Sequence, residues 1–138
     1  VIGLAVAGCA SGTGSTGGDD SKPTSPGPAT VTDWYAQGGT TLTRQIASDL
    51  TAIGAAAPDA GRMKPACAQL ATDTAAARNY PPIPDRQAQQ HWASALNDLT
   101  ATATDCTAGD TTKADTDIRK ASSEMQQLTA RVNGLGNV

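Results

Sequence analysis

At 138 residues the chain has room for one domain, and setting aside its Gly/Ser/Pro-rich start leaves about a hundred residues to build a core. Ten Lys and Arg against thirteen Asp and Glu give a formal charge of −3, and the cations are scattered, so the basic stripe of a nucleic-acid binder is excluded. Phe is absent, two Trp and two Tyr are the only aromatics and Ala is abundant, which favours closely packed helices over sheets.

Val1 to Ala7 is apolar but too short to span a bilayer, and it runs into Val6-Ala7-Gly8-Cys9-Ala10-Ser11. This segment resembles the lipobox of bacterial lipoproteins. The resemblance implies that residues 1–8 are a signal-peptide remnant and that Cys9 is the lipidation site, becoming the N-terminus after cleavage. A basic segment and an initiator Met are expected to precede such a run in the precursor. Two acyl chains would hold the protein at a membrane stably, where one would do so only marginally.

Residues 9–31 then read as the lipidation site and a flexible linker. Ser11-Gly-Thr-Gly-Ser-Thr-Gly-Gly-Asp-Asp and the Pro/Ser/Thr stretch after it carry almost no apolar side chain to offset the entropy of ordering. A segment of that length and composition has an r.m.s. reach of roughly 25 Å, enough to hold a domain clear of lipid headgroups. Asp19 and Asp20 read as solvated linker charges.

Residues 32–138 are expected to form an all-α domain, an antiparallel up-down-up-down four-helix bundle with one disulfide. In the first helix Leu42, Ile46, Leu50 and Ile53 fall in register, and Trp34 extends the stripe back across Gly38-Gly39. The spacing predicts a continuous helix there, weakened by about 1 kcal/mol for each Gly. Pro58-Asp59 and Gly61 read as the link to a second helix opening near Lys64, with Pro65 in its first turn and Cys67, Leu70, Ala71, Thr74 and Ala77 inward. The third helix is predicted from Asp85 to about Thr107, with Ala88, Trp92, Ala95, Leu96, Leu99, Ala103 and Cys106 on one side. A short Ala108-Gly109 turn leads to the fourth, capped by Asp110 or Thr111. Its stripe runs through Ala114, Ile118, Ala121, Met125, Leu128, Val132 and Leu135. Short links make consecutive helices antiparallel neighbours.

With Cys9 assigned to lipid, Cys67 and Cys106 lie on inward stripes in an oxidising compartment, and a disulfide is expected. The extended Tyr80-Pro-Pro-Ile-Pro84 link can climb the roughly 13 Å that separates their heights. Chemistry-bearing residues are sparse. His91 is the only histidine and precedes inward-facing Trp92, so it falls outward or at a helix seam, a candidate for surface recognition. One Glu, Glu124, and no Cys-X-X-Cys-His exclude di-iron and haem-attachment signatures, and no metal or other cofactor is expected. No Gly-X-Ser-X-Gly elbow is present.

Trp34 with Gly38-Gly39, Cys67-Ala-Gln-Leu70, Pro81-Pro82-Ile83-Pro84-Asp85, Gln90-His91-Trp92 and Asp105-Cys106-Thr107-Ala108-Gly109 together are similar to a set of small actinobacterial lipoproteins, over most of the chain after the linker. The resemblance implies a helical bundle and supplies no catalytic residue. The expected function is a non-catalytic binding or interaction module of the cell envelope, held on the extracytoplasmic face of the membrane by lipid on Cys9, with an envelope protein as its possible partner. The alternative is carriage of a small molecule or cofactor in the bundle core.

Overall fold

The computed structural model describes residues 27–136, so the expected signal-peptide remnant, Cys9 and most of the expected linker lie outside the described residues. Those described form helices joined by short links, with no strand among them.

Helix α1 (Val31–Trp34) opens on a capping box. The Thr30 hydroxyl accepts the Asp33 N–H at 3.0 Å, and the Asp33 carboxylate accepts the Thr30 N–H at 3.1 Å. This reciprocal pair starts the fold slightly earlier than residue 32. A π-type turn, Tyr35–Gly39, follows and leads into α2 (Thr40–Ala56). The continuous helix expected across Gly38-Gly39 is therefore interrupted: Gly38 leaves helical backbone at φ 163°, ψ −18°. The cause is packing by two aromatic side chains, described below.

Helix α3 (Ala60–Asn79) begins a turn before the expected Lys64, because the Asp59 carboxylate caps it by accepting the Arg62 N–H at 3.1 Å. Pro65 consequently lies inside the helix and withdraws one backbone donor there. Helix α4 (Arg86–Ala108) is capped by Asp85, which accepts the Ala88 N–H at 2.8 Å. It ends at Gly109 in the left-handed region, φ 87°, where a Cβ would be strained. Two residues later α5 (Thr111–Leu135) starts under an Asp110 cap.

Each of α3, α4 and α5 packs on the helix before it, and α4 with α5 shares the most extensive contact. Ala88, Ala95 and Ala103 on α4 and Ala114 and Ala121 on α5 are all buried, and such small residues let helices approach closely. Cys67 and Cys106 form the expected disulfide across α3 and α4, with Cα atoms 5.9 Å apart. Cross-helix pairs run in opposite order along the chain, Cys67 with Cys106 and Arg78 with Asn97 between α3 and α4, and Asp85 with Arg131 and His91 with Glu124 between the start of α4 and α5. That is the order short links impose on consecutive helices.

Candidate binding furrow

All four aromatic residues of the chain meet at one end of the bundle. Trp34 is fully buried and stands edge-on to Tyr35, Tyr80 and Trp92, with ring centroids 5.0, 5.6 and 5.5 Å away. Its indole N–H donates to the Pro81 carbonyl at 2.7 Å, which ties the proline link to α1. A Cβ on Gly39 would come within 2.1 Å of the Trp34 ring, and one on Gly38 within 2.9 Å of the Tyr80 hydroxyl. The glycine pair thus exists to let two aromatic rings lie on the backbone, and the π turn re-aims the chain for them. A cleft of about 250 Å³ borders this hub, lined by Arg78, Tyr80, Trp92 and Asn97 among others. The Arg78 guanidinium is engaged within the fold, donating to the Leu96 carbonyl, Asn97 Oδ1 and Thr100 Oγ1. It clamps α3 to α4.

His91 lies at the α4–α5 seam. Its Nδ1 is 2.7 Å from Glu124 Oε2, both side chains being mostly buried. Among the described residues no three His, Cys, Asp or Glu side chains gather as a metal ion requires. A different polar group is less settled: Asp49 on α2 is 7% exposed, and its Oδ2 has no hydrogen-bond partner among the described residues. Burial, and then the neighbouring Asp73 carboxyl on α3, push its pKa up to about 6.

The apolar stripe of α5 divides into two rows at seven-residue spacing. Ala114, Ala121 and Leu128 are buried, whereas Ile118, Met125 and Val132 stay half-buried. On α2, Ile46 and Ile53 are buried, and Leu42 and Leu50 are half-buried. Leu50, Ile118 and Met125 border the α2–α5 seam, where the helices do not approach closely. A cleft of about 250 Å³ lies there between Ile46, Leu50, Ala121 and Met125, and Leu50 also lines the next, about 300 Å³, with Ile53, Met63, Ala114 and Ile118. A third cleft of about 330 Å³ lies apart from these, between Val31, Tyr35, Val132 and Leu135. The first two, sharing Leu50, form a furrow between α2 and α5, open to solvent rather than enclosed in the core.

Few charges touch these clefts. Asp115 in the second cleft is paired with Arg119 at 2.8 Å, and Asp85 in the third with Arg131 at 2.7 Å. The first cleft has no charged lining residue. Compared with known protein families, curated proteins and solved structures, the chain shows no significant match. No helix among the described residues is long and apolar enough to cross a membrane. Of the site residues read from sequence, the structure joins Cys67 to Cys106 and pairs His91 with Glu124, and Cys9 is outside the described residues. The aromatic hub, the Asp49–Asp73 pair and the furrow escaped that reading. The furrow left no signal of its own, since the two alternating rows on α5 are what a single helix seam already requires.

Proposed function

We propose that this protein is a lipid-anchored, extracytoplasmic binding module of a bacterial cell envelope, acting without catalysis through the α2–α5 furrow. The similarity to small actinobacterial lipoproteins belongs to the same proposal. The observation that carries it is the Cys67–Cys106 disulfide. A bond of this kind favours an oxidising compartment, and it uses two of the three cysteines, leaving Cys9 at the end of its run of small residues as the thiol for lipid. The non-catalytic reading is supported by the engagement of the polar groups with one another: His91 with Glu124, Arg78 with α4, Arg131 with Asp85. Carriage of a small molecule, the second reading, is favoured by the furrow itself and moves from the core to the seam.

The test is metabolic labelling of the full precursor with an alkyne fatty acid in a bacterial host. Wild type should take up label and fractionate with membranes, and Cys9→Ser should do neither. Equal labelling of both would remove the anchor from the proposal.

A further inference from the structure

We propose that the cleft between α3, α4 and the proline link, beside the aromatic hub, binds the carboxylate of a small organic acid. It is a site apart from the α2–α5 furrow and stands whether or not that furrow is used. Its one charged lining residue is Arg78, and no carboxylate among the described residues pairs with it. Neutral acceptors alone hold the guanidinium: Nε and Nη2 donate to the Leu96 carbonyl, Asn97 Oδ1 and Thr100 Oγ1 at 2.7 to 3.3 Å, and Nη1 has no acceptor among the described residues. A cation fixed in this way keeps its charge uncompensated and its position set before any ligand arrives.

The amides of the lining carry the same bias. Gln89 Oε1 accepts the Ile83 N–H at 2.8 Å, and Asn97 Oδ1 accepts from Arg78 Nη2 at 2.7 Å. A backbone N–H and a guanidinium are donors only, so they fix which end of each amide is the oxygen, and each NH2 is left without an acceptor among the described residues. Trp92 adds a fourth donor: it is 2% exposed, it lines the cleft, and its indole N–H has no acceptor among the described residues. The unused hydrogen bonds of these four side chains are therefore donors gathered around one positive charge. An acceptor-only group with one negative charge satisfies them, which is a carboxylate; a phosphate monoester, at about −1.5 to −2, exceeds the single guanidinium. Tyr80 and Pro82 give the cleft an apolar wall beside the donors, which suits an acid with a hydrocarbon body.

The experiment uses the full chain, isotope-labelled and carrying Cys9→Ser to keep it off membranes, with benzoate as the probe. Benzamide, of the same shape without the charge, is the control. In nitrogen–proton correlation spectra benzoate should shift the indole N–H resonance of Trp92 saturably and leave in place that of Trp34, which is bonded to the Pro81 carbonyl. Benzamide and inorganic phosphate should each bind at least tenfold more weakly. Arg78→Gln should lower benzoate affinity at least tenfold. Because Arg78 also clamps α3 to α4, a second variant, Asn97→Asp, separates binding from folding: its carboxylate still accepts from Arg78, but it cancels the charge and puts an acceptor where an amide donor stood. It should keep wild-type helix content by circular dichroism and lose at least tenfold in benzoate affinity. Gln127→Glu, which adds the same charge at an exposed position on α5, should change neither. No saturable shift of Trp92, equal movement of both indole resonances, benzamide binding as tightly as benzoate, or wild-type benzoate affinity in a folded Asn97→Asp would each overturn the proposal. So would phosphate displacing benzoate at equal concentration, which would give the cleft to inorganic oxyanions.

Discussion

Gly39 and Gly54 differ in what a single methyl group would meet. At Gly39 an added Cβ would lie 2.1 Å from the ring of Trp34, which is held by the Pro81 carbonyl and by three other aromatic rings and has no room to withdraw. At Gly54, inside α2, nothing lies within 4 Å. Gly39→Ala should therefore destabilise the fold by about 1–3 kcal/mol through overpacking. Gly54→Ala should stabilise it by about 0.5–1 kcal/mol through helix propensity. Urea melts of the two variants moving in the same direction would refute the account of the π turn. Asp49 supplies a second test. Its folded-state pKa, near 6, lies above its ordinary value of 3.8, so the folded protein binds this proton more tightly than the unfolded chain. The resulting stabilisation is full below the ordinary carboxylate range and is lost as pH rises through about 6. At 1.36 kcal/mol per unit the effect is on the order of 1–3 kcal/mol between acid and neutral pH. Asp49→Asn should flatten that limb of the profile, and melts of wild type that gain nothing between pH 7 and 5 would contradict the placement of this carboxyl.

Between helices the opposite sign appears at Asp85. Its carboxylate caps α4 through the Ala88 N–H and receives two hydrogen bonds from Arg131 of α5, at 3.0 and 2.7 Å. Arg131 first, and then the cap, hold the Asp85 pKa down to about 2. The stability it contributes is present above the ordinary carboxylate pKa and is lost as pH falls toward 2. Stability should thus pass through a maximum near pH 4, and Arg131→Gln should weaken its acid limb while leaving the Asp49 limb in place. A profile of the variant superimposable on wild type below pH 4 would show that the pair does not couple α4 to α5. Elements of this kind differ in how far they were legible. Asp85 and Asp110 announce their helices because a cap is local chemistry, and so does the left-handed stop at Gly109. The start of α3 was hidden because Pro65 looks like a first-turn residue, while the Asp59 cap that sets the true start looks like part of a turn. The π turn was hidden for a different reason: Gly38 and Gly39 answer to Trp34 and Tyr80, and Tyr80 lies some forty residues away. The two buried cysteines were legible from their stripes, whereas the Asp49–Asp73 pair depends on how α2 and α3 sit in register.

At the scale of the molecule, stability is distributed unevenly across the bundle. Helix α4 lies between α3 and α5, is bonded to α3 through Cys67–Cys106 and Arg78, and meets α5 through His91 with Glu124. Helix α2 packs closely on α3 alone, leaves its seam with α5 open, and buries an unpartnered carboxyl oxygen at Asp49. Local opening is cheapest where buried apolar contacts are fewest, so α2 should form the least stable unit and α4 the most stable. Native-state hydrogen exchange read by mass spectrometry should show peptides of Thr40–Ala56 exchanging well before those of Arg86–Ala108. A ligand in the furrow binds only when both walls are in place, so any ligand found for it should slow exchange in α2 toward that of α4 by mass action. Exchange in α3, already covered by α2 and α4, should change least. Equal exchange of α2 and α4 in the free protein would mean that the bundle opens only as a whole, and the open seam would then carry no dynamic consequence for binding.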